Sequence, residues 1–549
     1  MQVDGSPRHS ITRGAIPRTA MVREVNIDSI RALEKQIEEH ERAIIRLKRT
    51  RNSLLNVSTL LPPEILGNIF QWNVIPDGDF GGPPKGSYNF LLVCRHWFEV
   101  ASRTPGLWSS WGASIGDWTR WHTRCRTGPV DLVLERCTGS KFNDELHDAL
   151  QDCATRDAIR RVHLRGAYGA ELLNSVISSI VIEGEETRSN SIVSFIVQND
   201  RGSDTVDVSS FFSRYHLPKL QCLRLVGCRI SSWDLLKSQT TALTTLELTN
   251  NPHLDISPVT STLPQLVSIL SSNPLLQDLV LSYDLVPHVD GGWPSPLVPL
   301  RHLKKLSLSS DFHNTFLLIG QLQLPDRLDS LDLSLGSCSS SDLSQTLGPY
   351  LRDRVRCRGR SPGGGLGLSA TNDFSTFHFR IGDAKTRDSG GMVWFITVDA
   401  VMNRTLEREV AEQLGFNLIA HVPQRQVISL RTNLPILRSE ELCIEMSNLT
   451  RLYLDEVDLS ACFAKLDIHE PHKFEKLLPS LDRIILAWPT LSDDYWYPLV
   501  GFLSRRAAAR KPISSVRFCG YPDIDDDAYE SIRYAVKVFD LEGSGVGDY

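Results

Sequence analysis

The apolar positions of the chain follow two different periods, one near its start and one over most of its length. Ile30, Leu33, Ile37, His40, Ile44, Leu47, Arg51 and Leu54 are spaced alternately by three and four residues, which is the seam of a heptad helix. His40 and Arg51 interrupt that seam. The helix therefore suits packing on its own neighbour as well as it suits dimerisation. The run from Thr59 to Phe70 places Pro62 and Pro63 where a helix begins, a position that tolerates proline because its backbone donors have no partner. Ile65, Leu66, Ile69 and Phe70 then fall at i, i+1, i+4 and i+5, giving one broad apolar face. Beyond a Gly- and Pro-rich loop from Gly78 to Gly86, a second helix is expected over Asn89 to Ala101, ending at Thr104-Pro105 and closed by Leu107-Trp108 and Trp111.

From there a Leu-x-x-Leu-x-Leu pattern recurs, as Leu220-Leu223-Leu225, Leu243-Leu246-Leu248, Leu276-Leu279-Leu281, Leu303-Leu306-Leu308 and Leu328-Leu331-Leu333. Leu449-Leu452-Leu454 and Leu481-Ile484-Leu486 continue it, and Ile159-Val162-Leu164 is its expected first member. Successive starts in the central block lie 23, 33, 27 and 25 residues apart, the length of one strand-turn-helix unit of an irregular leucine-rich repeat. Cys228 and Asn251 stand where such a repeat places a side chain that bonds the turning backbone. Between Leu333 and Leu449 the period weakens. Phe374-Phe377-Phe379 and Val393-Ile396-Val398 keep the spacing, and the strands at 374–381 and 392–398 could instead pair as a hairpin across Gly390-Gly391. Arg354 to Ser369, basic and Gly-rich, reads as a flexible loop.

Composition narrows the possible functions. At 549 residues, 41% hydrophobic and 23% charged, the chain is too long for one core and too apolar to be disordered as a whole. A net charge of −6 provides no general field for a phosphate backbone, so no nucleic-acid partner is expected. The eleven cysteines include no C-x-x-C pair and read as reduced, mostly buried thiols. No apolar run approaches the roughly 18 residues that cross a bilayer, and the first twenty residues contain Pro7, Pro17 and charges in place of a signal core. A cytoplasmic or nuclear protein with no membrane partner is expected. Arg8, Arg13 and Arg18 in an acid-poor tail suit a mitochondrial presequence poorly, because Gly and Pro interrupt any amphipathic helix. The sequons at Asn56, Asn403 and Asn448 carry no weight without a secretory signal.

The stretch from Leu60 to Trp111 resembles the F-box family, with a Leu-Pro-x-Glu-Ile-Leu-x-x-Ile-Phe-like helix start, then Val93-Cys94-Arg95-x-Trp97, then Thr104-Pro105-x-Leu107-Trp108. All three pieces occur in order. With the heptad helix before it and the repeats after it, the chain is similar to the large F-box families of mushroom-forming fungi. Two departures are a long loop from Trp72 to Tyr88 and Phe98 where Arg often follows the Trp. The resemblance implies an α/β chain, with a helical F-box followed by an irregular leucine-rich-repeat solenoid. Its expected parts are a disordered tail at 1–21, the heptad helix at 22–57, the F-box at 58–111, repeats at 112–540 with an irregular insert at about 335–440, and a flexible tail at 541–549.

The family docks its F-box on the small adaptor subunit of SCF-type ubiquitin ligases and, through it, on the cullin. Leu61, Pro62, Glu64, Ile65, Leu66, Ile69 and Phe70, with Leu92, Val93, Cys94 and Trp97, match that motif, and some of them must face inward instead. The repeats would present the residues between their leucines, among them Lys304, Lys305, Ser307, Asp329, Ser330 and Asp332, to an unidentified protein substrate. Such a receptor is not an enzyme and needs no catalytic residue, metal or cofactor. A repeat scaffold, or an F-box protein without ligase activity, is the alternative. A third is an enzyme hidden in residues 335–440, which would need a pocket of convergent polar groups.

Other patterns have simpler explanations. Arg387-Asp388-Ser389-Gly390-Gly391 resembles the nucleophile segment of trypsin-like proteases, but a turn between strands accounts for it. Gly365-Leu366-Gly367-Leu368-Ser369-Ala370 fits G-x-G-x-x-A without the strand before it or the helix after it. His469 and His472 flank Glu470-Pro471 with no third ligand in view, which is a solvated loop. The rings of Trp97, Trp108, Trp111, Trp118 and Trp121 are expected to seal the joint between the F-box and the repeats.

Overall fold

In the computed structural model the chain divides into two compact units, residues 1–75 with 86–104 and residues 76–85 with 105–549. The structure describes residues 27–55, 61–74 and 87–108, and most of 110–542. The segments 1–26, 56–60, 75–86, 113–128, 136–157, 181–190, 251–262, 283–296, 384–392, 464–475 and 543–549 and some shorter loops lie outside the described residues. Trp118, Trp121, Asn251, the Arg387 to Gly391 segment, His469 and His472 are among them.

The first unit is helical. Helix α1 (Ile27–Leu55) is followed by α2 (Pro63–Val74), a 3-10 turn over Ser87–Leu92, and α3 (Arg95–Ser102). Two boundaries differ from expectation. Helix α2 continues past Trp72, where the loop was expected to begin. The expected helix over Asn89 to Ala101 is broken in two, because Cys94 takes an extended conformation (φ −161°, ψ 168°) and becomes the N-cap of α3. The core of the unit is Leu66, Phe70, Phe90, Val100 and Ala101. Phe70 stacks on Phe90 with centroids 4.4 Å apart and tilts against Trp97 at 5.0 Å, a favourable offset arrangement of rings. Gly67 lets α2 approach the end of α3, since a Cβ there would lie 2.9 Å from Thr104 Oγ1. That hydroxyl donates to the Val100 carbonyl at 2.8 Å and closes α3.

The second unit is mixed α/β and is built on one 17-stranded sheet. Its strands pair mostly in parallel and in chain order, from Ser110–Gly112 through Val130–Glu135, Ile159–Gly166, Ser194–Asn199, Cys222–Val226, Thr245–Thr249, Asp278–Ser282 and Lys305–Asp311 to Ser330–Cys338. Parallel neighbours need a crossover, and helices such as Ala170–Ile180, Trp233–Gln239, Leu263–Ser272 and Phe312–Gln321 supply it.

Alternation along each strand sends two side chains into the core. The pairing aligns them across the sheet, so that Phe195, Leu223, Leu246, Leu279, Leu306 and Leu331 form one buried row and Val197, Leu225, Leu248, Leu281, Leu308 and Leu333 a second. Backbone bonds repeat with the same period. The Gln221 carbonyl accepts from Thr244 and Thr245 N–H, Thr244 from Gln277 and Asp278, Gln277 from Lys304 and Lys305, and Lys304 from Asp329 and Ser330. Side chains add to this joint, as where buried Asn273 accepts from Leu243 N–H at 3.2 Å and donates to the Ile269 carbonyl at 2.9 Å.

The segment expected to be irregular continues the sheet, with its order reversed. Val393–Met402 lies beside Ser330–Cys338 in parallel; Thr376–Asp383 follows antiparallel to it, then Leu366–Asp373 antiparallel again. The hairpin alternative is thus the arrangement found. Residues Arg354 to Ser369 are not a loop throughout, because Gly348–Arg358 is a helix and Leu366–Asp373 a strand. Buried Leu368, Phe377, Phe379, Ile381 and Val398 carry the apolar rows across the meander. Parallel order resumes with Val427–Thr432, Arg451–Asp455, Arg483–Ala487, Ser515–Cys519 and Val538–Glu542. Leu541 and Glu542 belong to that last strand and not to a tail.

One buried cation fixes a turn in this part. Arg506, on the helix Trp496–Ala508, donates through its guanidinium to the carbonyls of Leu477 (3.4 Å), Leu478 (2.9 Å) and Leu481 (2.9 Å). Leu478 sits at φ 45°, in the left-handed region that a non-glycine residue seldom occupies. The planar fork of arginine spreads its fixed donors over a wider span than the three N–H groups of a single ammonium nitrogen.

Two outcomes follow for stability. Leu306→Ala or Leu331→Ala is expected to cost about 2–5 kcal/mol in urea unfolding, because the methylenes removed come from a fully buried row. Arg506→Met should cost about 3 kcal/mol by removing the guanidinium bonds to the Leu477, Leu478 and Leu481 carbonyls, of which that of Leu478 keeps only its bond from Leu481 N–H, and Arg506→Lys should recover only part of it.

Candidate functional site

The apolar residues of α2 divide between two faces. Leu66 and Phe70 point into the core, whereas Ile65 (47% exposed), Ile69 (48%) and Trp72 (78%), at i, i+4 and i+7, lie on the surface. Leu92 (86%), Val93 (55%) and Phe98 (42%) are exposed on the segments that follow. Among the residues that match the F-box pattern, Ile65, Ile69, Leu92, Val93, Pro62 and Glu64 are exposed, Leu61, Cys94 and Trp97 half-buried, and Leu66 and Phe70 buried. The last two cannot touch a partner in this conformation. They hold the rings together from behind, and the single broad face expected of α2 is therefore two faces. Val93, which would have shared a buried stripe with Trp97 and Val100, is turned outward because the break at Cys94 separates it from α3.

Trp72 and Phe98 were not singled out as surface residues by sequence. The spacing of Trp72 from Ile65 and Ile69 is the signal that places it with them, but the loop expected to start there hid it. Isolated exposed hydrophobic residues are ordinary, but six of them fall on α2 and on the stretch from the 3-10 turn to the start of α3, and exposed apolar surface that gathers in this way is of the kind that partners cover. The surrounding charges are local: Arg95 and Glu99 pair at 2.8 Å along the exposed side of α3.

On the second unit the residues between the buried rows form the other candidate surface. Pairing sets Lys305 between Asp278 and Ser330, and Ser307 between Val280 and Asp332. Lys304, Lys305 and Asp329 are exposed, whereas Ser307, Ser330 and Asp332 are half-buried. Ser330 Oγ donates to Asp332 Oδ2 at 2.6 Å, and Asp329 N–H donates to the Lys304 carbonyl at 2.6 Å. The six residues therefore come together across two adjacent strands and their entry turns. The same face carries ion pairs elsewhere, including Arg224 with Glu247 at 3.5 Å, Arg161 with Asp131 at 3.8 Å and Arg517 with Asp540 at 3.3 Å. Burial pushes the Asp131 carboxyl above its ordinary range, against the pull of Arg161 and Arg160. Of these, only the Arg517–Asp540 pair is exposed on both sides, and an exposed pair contributes only about 0–1 kcal/mol to folding.

Two of the described thiols are poorly suited to nucleophilic chemistry. Cys228 is buried and its Sγ donates to the Val226 carbonyl at 3.4 Å, the backbone-bonding role expected of it, while burial drives its thiol far above the ordinary range. Burial, reinforced by the charge of Glu440, pushes Cys443 up to about 12. A thiolate is the reactive form. Among the described residues no three His, Cys, Asp or Glu side chains gather in a group that could hold a metal ion, and no helix is long and apolar enough to cross a membrane.

No known family model matches the chain, and no curated protein matches it significantly.

Alkylation tests the assignment of the thiols. Treated with iodoacetamide near neutral pH, the folded protein is expected to keep Cys228 and Cys443 unmodified, and both should label fully in denaturant, as read by peptide mass spectrometry.

Proposed function

We propose that the protein is a non-catalytic substrate receptor of an SCF-type cullin-RING ubiquitin ligase. Residues 58–111 act as its F-box, and the second unit, an irregular leucine-rich-repeat solenoid, binds the protein to be modified. The observation that carries the reading is the exposure of Ile65, Ile69, Leu92 and Val93, which match F-box positions, while Leu66 and Phe70 of the same helix are buried. A small helical unit that leaves such residues exposed is suited to docking its apolar face on an adaptor subunit.

The solenoid reading is supported by the parallel strands in chain order, the two buried rows and the periodic turn carbonyls. In such an array each unit contacts only its neighbours, and the residues between the leucines are available to a partner. Lys304, Lys305, Ser307, Asp329, Ser330 and Asp332 are the proposed target contacts. The receptor presents its target, and the other subunits and the conjugating enzyme supply the chemistry.

Co-purification from cells tests both halves. Ile65→Glu with Leu92→Glu is expected to remove the adaptor and cullin from the purified full-length chain with the melting temperature unchanged, because exposed substitutions alter stability by less than about 0.5 kcal/mol. Charge reversal at Lys304 and Lys305, or at Asp329 and Asp332, should leave the adaptor bound and lower recovery of the proteins stabilised by proteasome inhibition. Recovery of adaptor by the double variant at the wild-type level would overturn the F-box assignment. Recovery of adaptor without cullin by the unaltered chain would leave an F-box protein that serves no ligase.

A further inference from the structure

Helix α1 is a 29-residue helix whose seam is uncovered. Ile30, Leu33, Ile37, Ile44, Leu47 and Leu54 are between 44% and 80% exposed. Written as heptads, Ile30, Ile37, Ile44 and Arg51 fall at a, and Leu33, His40, Leu47 and Leu54 at d. An exposed a/d seam of this kind is what a partner helix covers in a coiled coil.

The charges along α1 are divided by its midpoint. Up to residue 41 the helix carries Asp28, Glu34, Glu38, Glu39 and Glu41 against Arg31 and Lys35; beyond it come Arg42, Arg46, Lys48, Arg49 and Arg51 with no acid. This order suits the helix's own dipole, and internal pairs such as Arg42 with Glu38 use a little of it. It also decides between partners. A second copy lying parallel would set acid beside acid, base beside base, and Arg51 against Arg51.

We propose that α1 pairs with α1 of a second copy of this chain in antiparallel orientation, its acidic half on the basic half of the other. One register overlaps all eight seam layers. It seats Ile37 against Leu47, His40 against Ile44, and Arg51 against Leu33, so that neither polar seam residue meets its own copy. In that register the flanking positions bring Glu34 beside Lys48 twice, outweighing a single meeting of Glu41 with itself, and the small Ala43 lies at the two-fold axis. The pairing does not depend on the adaptor reading, because it uses none of the residues of α2 or α3.

Sedimentation equilibrium of the full-length chain tests the pairing. The unaltered protein is expected to dimerise with concentration, and Ile37→Asp to remain monomeric. Glu34→Lys alone, or Lys48→Glu alone, should weaken the dimer about tenfold by making both flanking pairs repulsive. The double variant Glu34→Lys/Lys48→Glu should restore it. In a parallel pair Glu34 would face Ser29 and Lys48 would face Ala43, so the two changes would have little effect and nothing to restore. All these side chains are exposed in the single chain, so no loss can be attributed to unfolding of a core. A monomeric wild type, a dimer that survives Ile37→Asp, or a double variant no better than either single one would each overturn the proposal.

Discussion

A five-residue strand that alternates its side chains can bury only two of them on one face, and no single strand with its helix can cover that face alone. The second unit depends on this limit. Leu306 and Leu308 are fully covered because Leu279 and Leu281 lie on one side and Leu331 and Leu333 on the other, in register. Each unit thus needs its neighbours, and the sheet extends sideways from one unit to the next. The buried polar groups obey the same rule. Asn273 and Arg506 satisfy backbone atoms of residues 25–30 positions away, so the turn of one unit is completed by a side chain from the next.

The first unit solves a smaller problem with fewer residues. Helix α2 places apolar side chains around much of its circumference, and α3 with the preceding 3-10 turn can cover only the side of Leu66 and Phe70. Stacked rings and the close approach at Gly67 consume what covering surface there is. The exposed set on the opposite side is what remains when three short elements cannot enclose all their own apolar area. Function of the kind proposed here requires that remainder, since a helical unit that enclosed itself completely would offer an adaptor nothing apolar to dock on.

Much of the second unit was legible in the leucine spacing, because period two within a strand and a period near twenty-five between strands both leave marks in sequence. The strands at 194–199, 515–519 and 538–542 escape that spacing because Phe195, Val197, Val516, Phe518 and Phe539 occupy leucine positions with other apolar side chains, and those at 130–135 and 427–432 lack the leading leucine of the pattern. The reversal of order at 366–402 left only one mark, the Gly390-Gly391 pair between two strands, because parallel and antiparallel strands bury the same alternation and only the partners differ. In the first unit the residues that match the F-box pattern could be picked out, but their division into inner and outer faces could not. That division turns on a backbone feature, the extended Cys94, which composition does not announce.

The joints between units are made largely by main-chain atoms. At Gln221, Thr244, Gln277 and Lys304 it is the carbonyl that receives the next unit's two amide groups, whatever side chain the residue bears. Mutation at these entries and at the outward strand positions consequently leaves the assembly rule untouched, and a lineage is free to rewrite the exposed face of the sheet while the interior stays leucine-rich. Descendants of one ancestor would then keep a common spacing and share few letters outside it. On the proposed reading, a surface under so little structural restraint is well suited to following a changing target.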